Sequence, residues 1–231
     1  MSGGAGMSGE ERVPPAWRRA TGGEARWPAT VAVVVAIALQ LTLPGHLSPP
    51  VPWLLPALET ALLVGIVAVN PTRLNRRSPR LRLANFLLIG VVSVANGWSA
   101  AALVVGMVRG TVGTSATPLL VSGASIWATN VLVFALWFWE LDRGGPAARA
   151  HGVHEVPDFL FPQMVSPTLA PDDWEPEFVD YLYVSFTNAT AFSPTDTMPL
   201  SHWAKMIMLV QSGVSLVTVA LVIARAVNIF R

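Results

Sequence analysis

The chain contains no cysteine, which excludes disulfides, thiolate metal centres and cysteine nucleophiles. It is also poor in charge. Asp, Glu, Lys and Arg make up 13% of its residues against 52% hydrophobic, whereas an ordinary soluble domain is about a quarter charged. That balance points to a polytopic, all-α membrane protein. The net charge of +1 argues against a nucleic-acid partner, because phosphate binding needs concentrated basic surface and the arginines here fall in short inter-helix loops. No Ser-His-Asp order, phosphate-binding glycine loop or helical His-Glu-x-x-His occurs, so neither an enzymatic activity nor a cofactor or metal is expected. No internal repeat is visible.

What the chain has instead is long apolar runs. A membrane span needs about 20 mostly apolar residues, and five stretches meet that length: about 28–47, 51–69, 83–108, 116–140 and 203–228. Pro44, Asn70-Pro71, Arg109-Gly110 and Gly144-Gly145-Pro146 punctuate them with turn chemistry. Trp27, Trp53, Trp137, Trp139 and Trp203 lie at the span ends, where amphipathic rings favour the headgroup level. Residues 1–26 are rich in Gly, Pro and Arg without apolar periodicity, which predicts a flexible basic tail. A signal peptide is the other reading of the basic start, but no small-x-small cleavage site follows the first apolar run. The stretch 141–177 carries Asp142, Arg143, Arg149, Glu155, Asp158, Asp172, Asp173, Glu175 and Glu177 among its prolines, so it is expected outside the membrane. It is too long for a structureless connection and is expected to pack as a small unit.

Glu59 falls midway along the second apolar run. An ionisable side chain there marks a functional site, or a carboxyl bonded to a neighbouring helix. Asn96, Asn130 and Gln211 are expected to bond between helices. Gly, Ala and Ser between 90 and 106 suggest close helix packing, and Arg225 a snorkelling anchor. His151-x-x-His154-Glu155 with Asp158 has the donor types of a zinc site but no known ligand spacing, so a solvated loop is expected. The Asn188-Ala189-Thr190 sequon falls in an apolar helix and is read as coincidental.

From Asp180 to Leu200 the chain reads DYLYVSFTNATAFSPTDTMPL and leads directly into an apolar helix. This resembles the pore helix, filter and inner helix of the potassium-channel family, whose pattern ends in Thr-Val-Gly-Tyr-Gly-Asp with a Pro three residues on. Tyr183, Thr190, Asp196 and Pro199 fall in register without a gap, but Ser193-Pro194-Thr195 stands where the family has Gly-Tyr-Gly. The resemblance covers 116–231, with 116–140 as outer helix, 141–177 as turret, 178–190 as pore helix, 191–196 as filter strand and 203–228 as inner helix. Residues 27–115 form N-terminal helices that it does not explain. Pro194 fixes its own φ near −65° and biases Ser193 toward extended backbone, so a potassium-selective column of carbonyls is not expected. The resemblance implies instead a re-entrant helix and turn with Thr190, Ser193, Thr195 and Asp196 lining the constriction. It further implies a homo-oligomer, tetrameric if channel-like, with a monovalent cation as possible partner beside the lipid bilayer. The alternative packing for this segment is an amphipathic turn with Tyr181, Val184, Ser185 and Asn188 at the membrane interface.

Orientation raises a conflict. Arg12, Arg18, Arg19 and Arg26 share one side with Arg73, Arg76, Arg77, Arg80 and Arg82 under simple alternation of spans, and that side is expected in the cytoplasm. Alternation puts 141–202 there too, whereas the channel resemblance requires it outside; the tail and the turret agree only if one early segment does not cross, which leaves the five-arginine loop outside. Three functions are carried forward. The first is a multi-pass inner-membrane protein of a bacterium, related to pore-loop cation channels and permeable to ions without potassium selectivity. The second is a non-conducting membrane scaffold, and the third a secondary transporter using Glu59.

Overall fold

The computed structural model describes residues 14–111, 115–190 and 196–229. Eight α-helices and one two-stranded ribbon are formed by these residues. The longest helices are α3 (Pro79–Arg109), α4 (Ala116–Leu141) and α8 (His202–Ile229). These three are long and apolar enough to cross a membrane. The first two apolar runs give shorter helices than the sequence suggests: α1 is Trp27–Leu41, of 15 residues, and α2 is Leu54–Val69, of 16. Pro44-Gly45 and Pro49-Pro50 lie between them and break the first run early. At 1.5 Å per residue each helix is only about 22–24 Å long, against a hydrocarbon core of about 30 Å.

The α1–α2 hairpin gains depth from its turn. Ser48 O accepts the indole N–H of Trp98 on α3 at 3.2 Å, and Leu47 is buried in a cluster with Leu103, Leu119, Ile126 and Val222. The hairpin therefore reaches along α3 to about the level of Leu103. Gly110 closes α3 in the left-handed conformation, φ 69°, its N–H returning to Gly106 O and Met107 O, which is the backbone geometry a glycine stops a helix with. At the other end α4 gives way to a tight turn in which Arg143, Gly144 and Gly145 all have positive φ. A Cβ on Gly145 would stand 2.9 Å from Glu140 O, so only glycine lets the chain double back there.

The stretch 141–177 holds α5 (Pro146–Ala150), β1 (Phe159–Leu160) and α6 (Pro162–Val165). After α7 (Phe178–Thr190) the chain comes back as β2 (Met198–Pro199), antiparallel to β1 with Phe159 opposite Pro199. The ribbon is extended by Leu200 N–H to Asp158 O at 2.8 Å. The tail differs from expectation from residue 14 onward. Ala16–Arg18 form a 3-10 turn, Trp17 is 6% exposed, and Thr21 Oγ1 donates to Glu175. Aromatic packing and long-range bonds fix this stretch, and neither leaves a periodicity in the sequence.

One end of the molecule thus collects the N-terminal segment, the α2–α3 loop and the 141–177 unit. Residue 25 bridges to 73, Arg26 N–H donates to Thr72 O and Leu74 N–H to Glu24 O. The other end holds the α1–α2 turn and the far end of α8. The surface between the ends is apolar: Leu83, Val94 and Val108 on α3 and Met206, Leu209, Leu216 and Ile223 on α8 are all exposed. Apolar faces of this extent suit lipid rather than water. Within 90–106 Val92, Ala95, Ser99 and Ala100 are buried, while a Cβ on Gly90 or Gly97 would meet open space; at Gly123 on α4 a Cβ would lie 2.7 Å from Val222 Cγ2 on α8.

Candidate functional site

Two polar constellations hold α7 in place. The first lies where α4 ends. Asp142 is fully buried and accepts Asp158 N–H at 2.8 Å and the Tyr181 hydroxyl at 2.6 Å, with Arg143 Nε at 3.6 Å. Asp158 reciprocates by accepting Arg143 N–H at 3.0 Å and the Trp203 indole N–H at 2.9 Å. Arg149 donates to Trp139 O and Asp142 O, reaches Glu24 at 3.3 Å, and lies 5.0 Å from the centre of the Tyr181 ring. The node therefore ties the end of α4 and the starts of α7 and α8 to the 141–177 unit. Two of the span-end tryptophans take part in the node: Trp139 is 4% exposed and donates to Glu24, and Trp203 donates to Asp158. Trp27 and Trp53, each 67% exposed, do face outward.

Glu24 is the titratable centre of this node. It accepts the Trp139 indole N–H and Phe178 N–H, the latter at 3.0 Å, and faces Arg149. Burial pushes its carboxyl from 4.5 up to about 7, with Arg149 and the two N–H donors holding it back. A carboxyl whose pKa is raised by folding favours the folded state below the unfolded value and loses that contribution as pH rises toward the folded one. Stability in detergent is therefore expected to fall between about pH 4.5 and 7, by at most about 3 kcal/mol, and Glu24→Gln to flatten that slope. Thermal midpoints of both proteins at pH 5 and pH 8 check this; equal slopes refute it.

The second constellation is a seam along α4, α7 and α8. Ser185 Oγ on α7 donates to Val131 O of α4 at 2.6 Å, and Gln211 Nε2 on α8 donates to Ser185 Oγ at 2.6 Å and Ser185 O at 3.0 Å. Asn188 Nδ2 donates to Gln211 Oε1 at 2.8 Å and to Met208 O at 2.9 Å. At the tip of α7 the serines of α8 take its last carbonyls: Ser212 Oγ donates to Asn188 O at 3.2 Å and Ser215 Oγ to Ala189 O at 2.6 Å. Helix ends leave such carbonyls unpaired, and here a neighbouring helix satisfies them. Ser215 is fourteenth in α8, so the α7 tip sits about 20 Å along that helix from its start.

Tyr181, Val184 and Ser185 are fully buried. The interfacial alternative for α7 is thereby corrected, because these residues and Asn188 form its inward face. Its outward face is the apolar stripe Val179, Tyr183 and Phe186, exposed at positions i, i+4 and i+7. Of the four residues assigned to a constriction, Thr190 lies at the α7 tip, half-buried, with its hydroxyl on Thr187 O at 3.0 Å. Asp196 is exposed, two residues before β2. Ser193 and Thr195 lie outside the described residues.

Glu59 is fully buried and accepts Gln40 Nε2 at 3.4 Å, while its Oε1 has no partner among the described residues. Of the three amides expected to bond between helices, Gln211 does so fully; Asn96 is buried, and Asn130 Nδ2 has no partner among the described residues. His151, His154 and Glu155 are exposed while Asp158 is committed to the node, and no three metal-ligating side chains converge among the described residues. The residues that sequence reading missed are Glu24, Ser212 and Ser215. The serines carried a signal, since Gln211-Ser212-x-x-Ser215 puts three polar groups on one face of an otherwise apolar helix.

No family model, curated protein or solved structure matches the chain. The class is therefore defined by its own geometry: a helical chain with three helices fit to cross a membrane and a short helix held end-in between two of them.

Proposed function

We propose that this is a multi-pass protein of a bacterial inner membrane, related to pore-loop cation channels, in which copies of the α4–α7–α8 module surround an ion path. The observation that carries the reading is the course of α7. It is 13 residues long, too short to cross; it ends about midway along α8, and the chain returns to the same end at β2. A helix that ends at such depth is tolerated only beside protein or a water-filled cavity, and neighbouring copies would supply both. Thr190, Ser193, Thr195 and Asp196 line the constriction in this reading, passing a partly hydrated monovalent cation without potassium selectivity. The resemblance implies four copies. With α1 and α2 crossing through their hairpin, the chain makes five passes, and the arginine-rich end lies in the cytoplasm. The pore loop then enters from the cytoplasmic side, opposite to the family's orientation.

Purified protein in vesicles is expected to show cation flux that falls several-fold in Asp196→Ala. Flux that ignores the substitution removes Asp196 from the path. A second reading, a non-conducting membrane scaffold, draws on one observation: the polar groups on the buried face of α7 are spent on α4 and α8 and its exposed stripe is apolar. It is favoured by absence of flux in the wild-type protein together with a monomer or dimer in detergent.

A further inference from the structure

The arginines of the loaded end do more than fill a loop. Arg26, Arg76, Arg77 and Arg82 line a cavity of about 420 Å³ between the start of α3 and the end of α4. Arg26 is 7% exposed, and its buried Nε has no hydrogen-bond partner among the described residues. A buried guanidinium with an unmet donor is costly unless something charged meets it. The acid in the lining is Glu140, whose charge acts on Arg26, Arg82 and Arg149 and whose Oε2 accepts Asn85 Nδ2 at 3.3 Å. Four cations therefore face the space against one carboxylate.

A second cavity of about 420 Å³ shares Arg76, Ser78 and Leu81 with the first. It runs between α2 and α3 past Ala61, Leu62, Gly65 and Ala84, and a Cβ on Gly65 would meet nothing within 4 Å. The pair is basic at the end of the helices and apolar along their length. A soluble anion would use only the first part and a neutral hydrophobe only the second. An amphiphile with an anionic head fills both.

We propose that these joined cavities bind one anionic phospholipid, its phosphate among Arg26, Arg76 and Arg77 and an acyl chain in the α2–α3 groove. Guanidinium groups suit phosphate oxygens through paired N–H donors, and basic pockets at helix ends recognise such headgroups. The site lies in residues 26–148, apart from the α7 element, so it stands whether or not the chain conducts.

The test uses the full chain in neutral detergent, with lipid retention read by native mass spectrometry. Phosphatidylglycerol is expected to bind at least tenfold tighter than phosphatidylcholine of the same acyl chains, and glycerol phosphate not to compete with it. Arg76→Gln with Arg77→Gln, both exposed in the lipid-free protein, should weaken phosphatidylglycerol at least tenfold. Gly65→Leu should do the same by filling the groove, and Arg109→Gln, the loss of one charge at the far end of α3, should leave binding intact. Equal retention of the two lipids, or wild-type binding in both the arginine and Gly65 variants, overturns the proposal. Glycerol phosphate binding as tightly as the lipid, with no effect of Gly65→Leu, overturns it in favour of a soluble anion.

Discussion

Asp142→Ala is expected to lower stability by about 3–5 kcal/mol, the usual cost of removing one partner from a buried charged network. The substitution strands the Tyr181 hydroxyl, the N–H groups of Asp158 and Phe159 and the Arg143 side chain at once. Tyr181 is fully buried and Arg143 3% exposed, so water does not replace the lost oxygens without opening the node. For a chain of this size the thermal midpoint in detergent should fall by about 10 °C. Glu155→Ala, at an exposed position of the same unit, should stay within about 0.5 kcal/mol of the parent. A midpoint for Asp142→Ala within two degrees or so of the wild type would show that α7 is anchored by the seam with α8 alone.

The second large effect is all-or-none. The native chain has no cysteine, so single cysteines report cleanly on sidedness. Asn75→Cys in the α2–α3 loop and Thr168→Cys in the extramembrane unit are both exposed and lie at the same end of the molecule, while Thr111→Cys lies beyond the opposite end of α3. In intact cells an impermeant thiol reagent is expected to spare the first two and label the third; after lysis all three should react. Labelling of Thr168→Cys but not Asn75→Cys in intact cells would contradict the shared end. Labelling of both would keep the fold and reverse its orientation, against the arginine count.

That experiment addresses a conflict the sequence could state but not resolve. Arginine counting puts 141–202 in the cytoplasm, whereas the channel resemblance puts it outside. Thr21 meets Glu175 and Glu24 meets Phe178, so the tail and the 141–177 unit share an end of the molecule. Helix existence was legible because twenty apolar residues in a row admit few other solutions. Helix length was less so: the first apolar run extends to about 47, but the helix stops at Leu41, ahead of Pro44. Gln211 stood out as a lone amide in an apolar run, whereas Gly123 looked no different from Gly90 and Gly97, because close approach depends on what stands opposite.

The sequence by itself determined that this protein has apolar helices of membrane-crossing length, a charged unit between the fourth and fifth apolar runs and a short helix that cannot cross. Those properties are summed over neighbouring residues, so the chain carries them before it folds. Only the tertiary structure decided which polar groups answer one another. Trp139 and Phe178 stand 115 and 154 positions from the Glu24 they both bind, and pairings across such distances are set by how the helices pack, not by any pattern along the chain. The same holds for the arginine-lined cavity, whose walls come from the start of α1, the α2–α3 loop and the end of α4, three segments that meet only when the bundle brings their ends together.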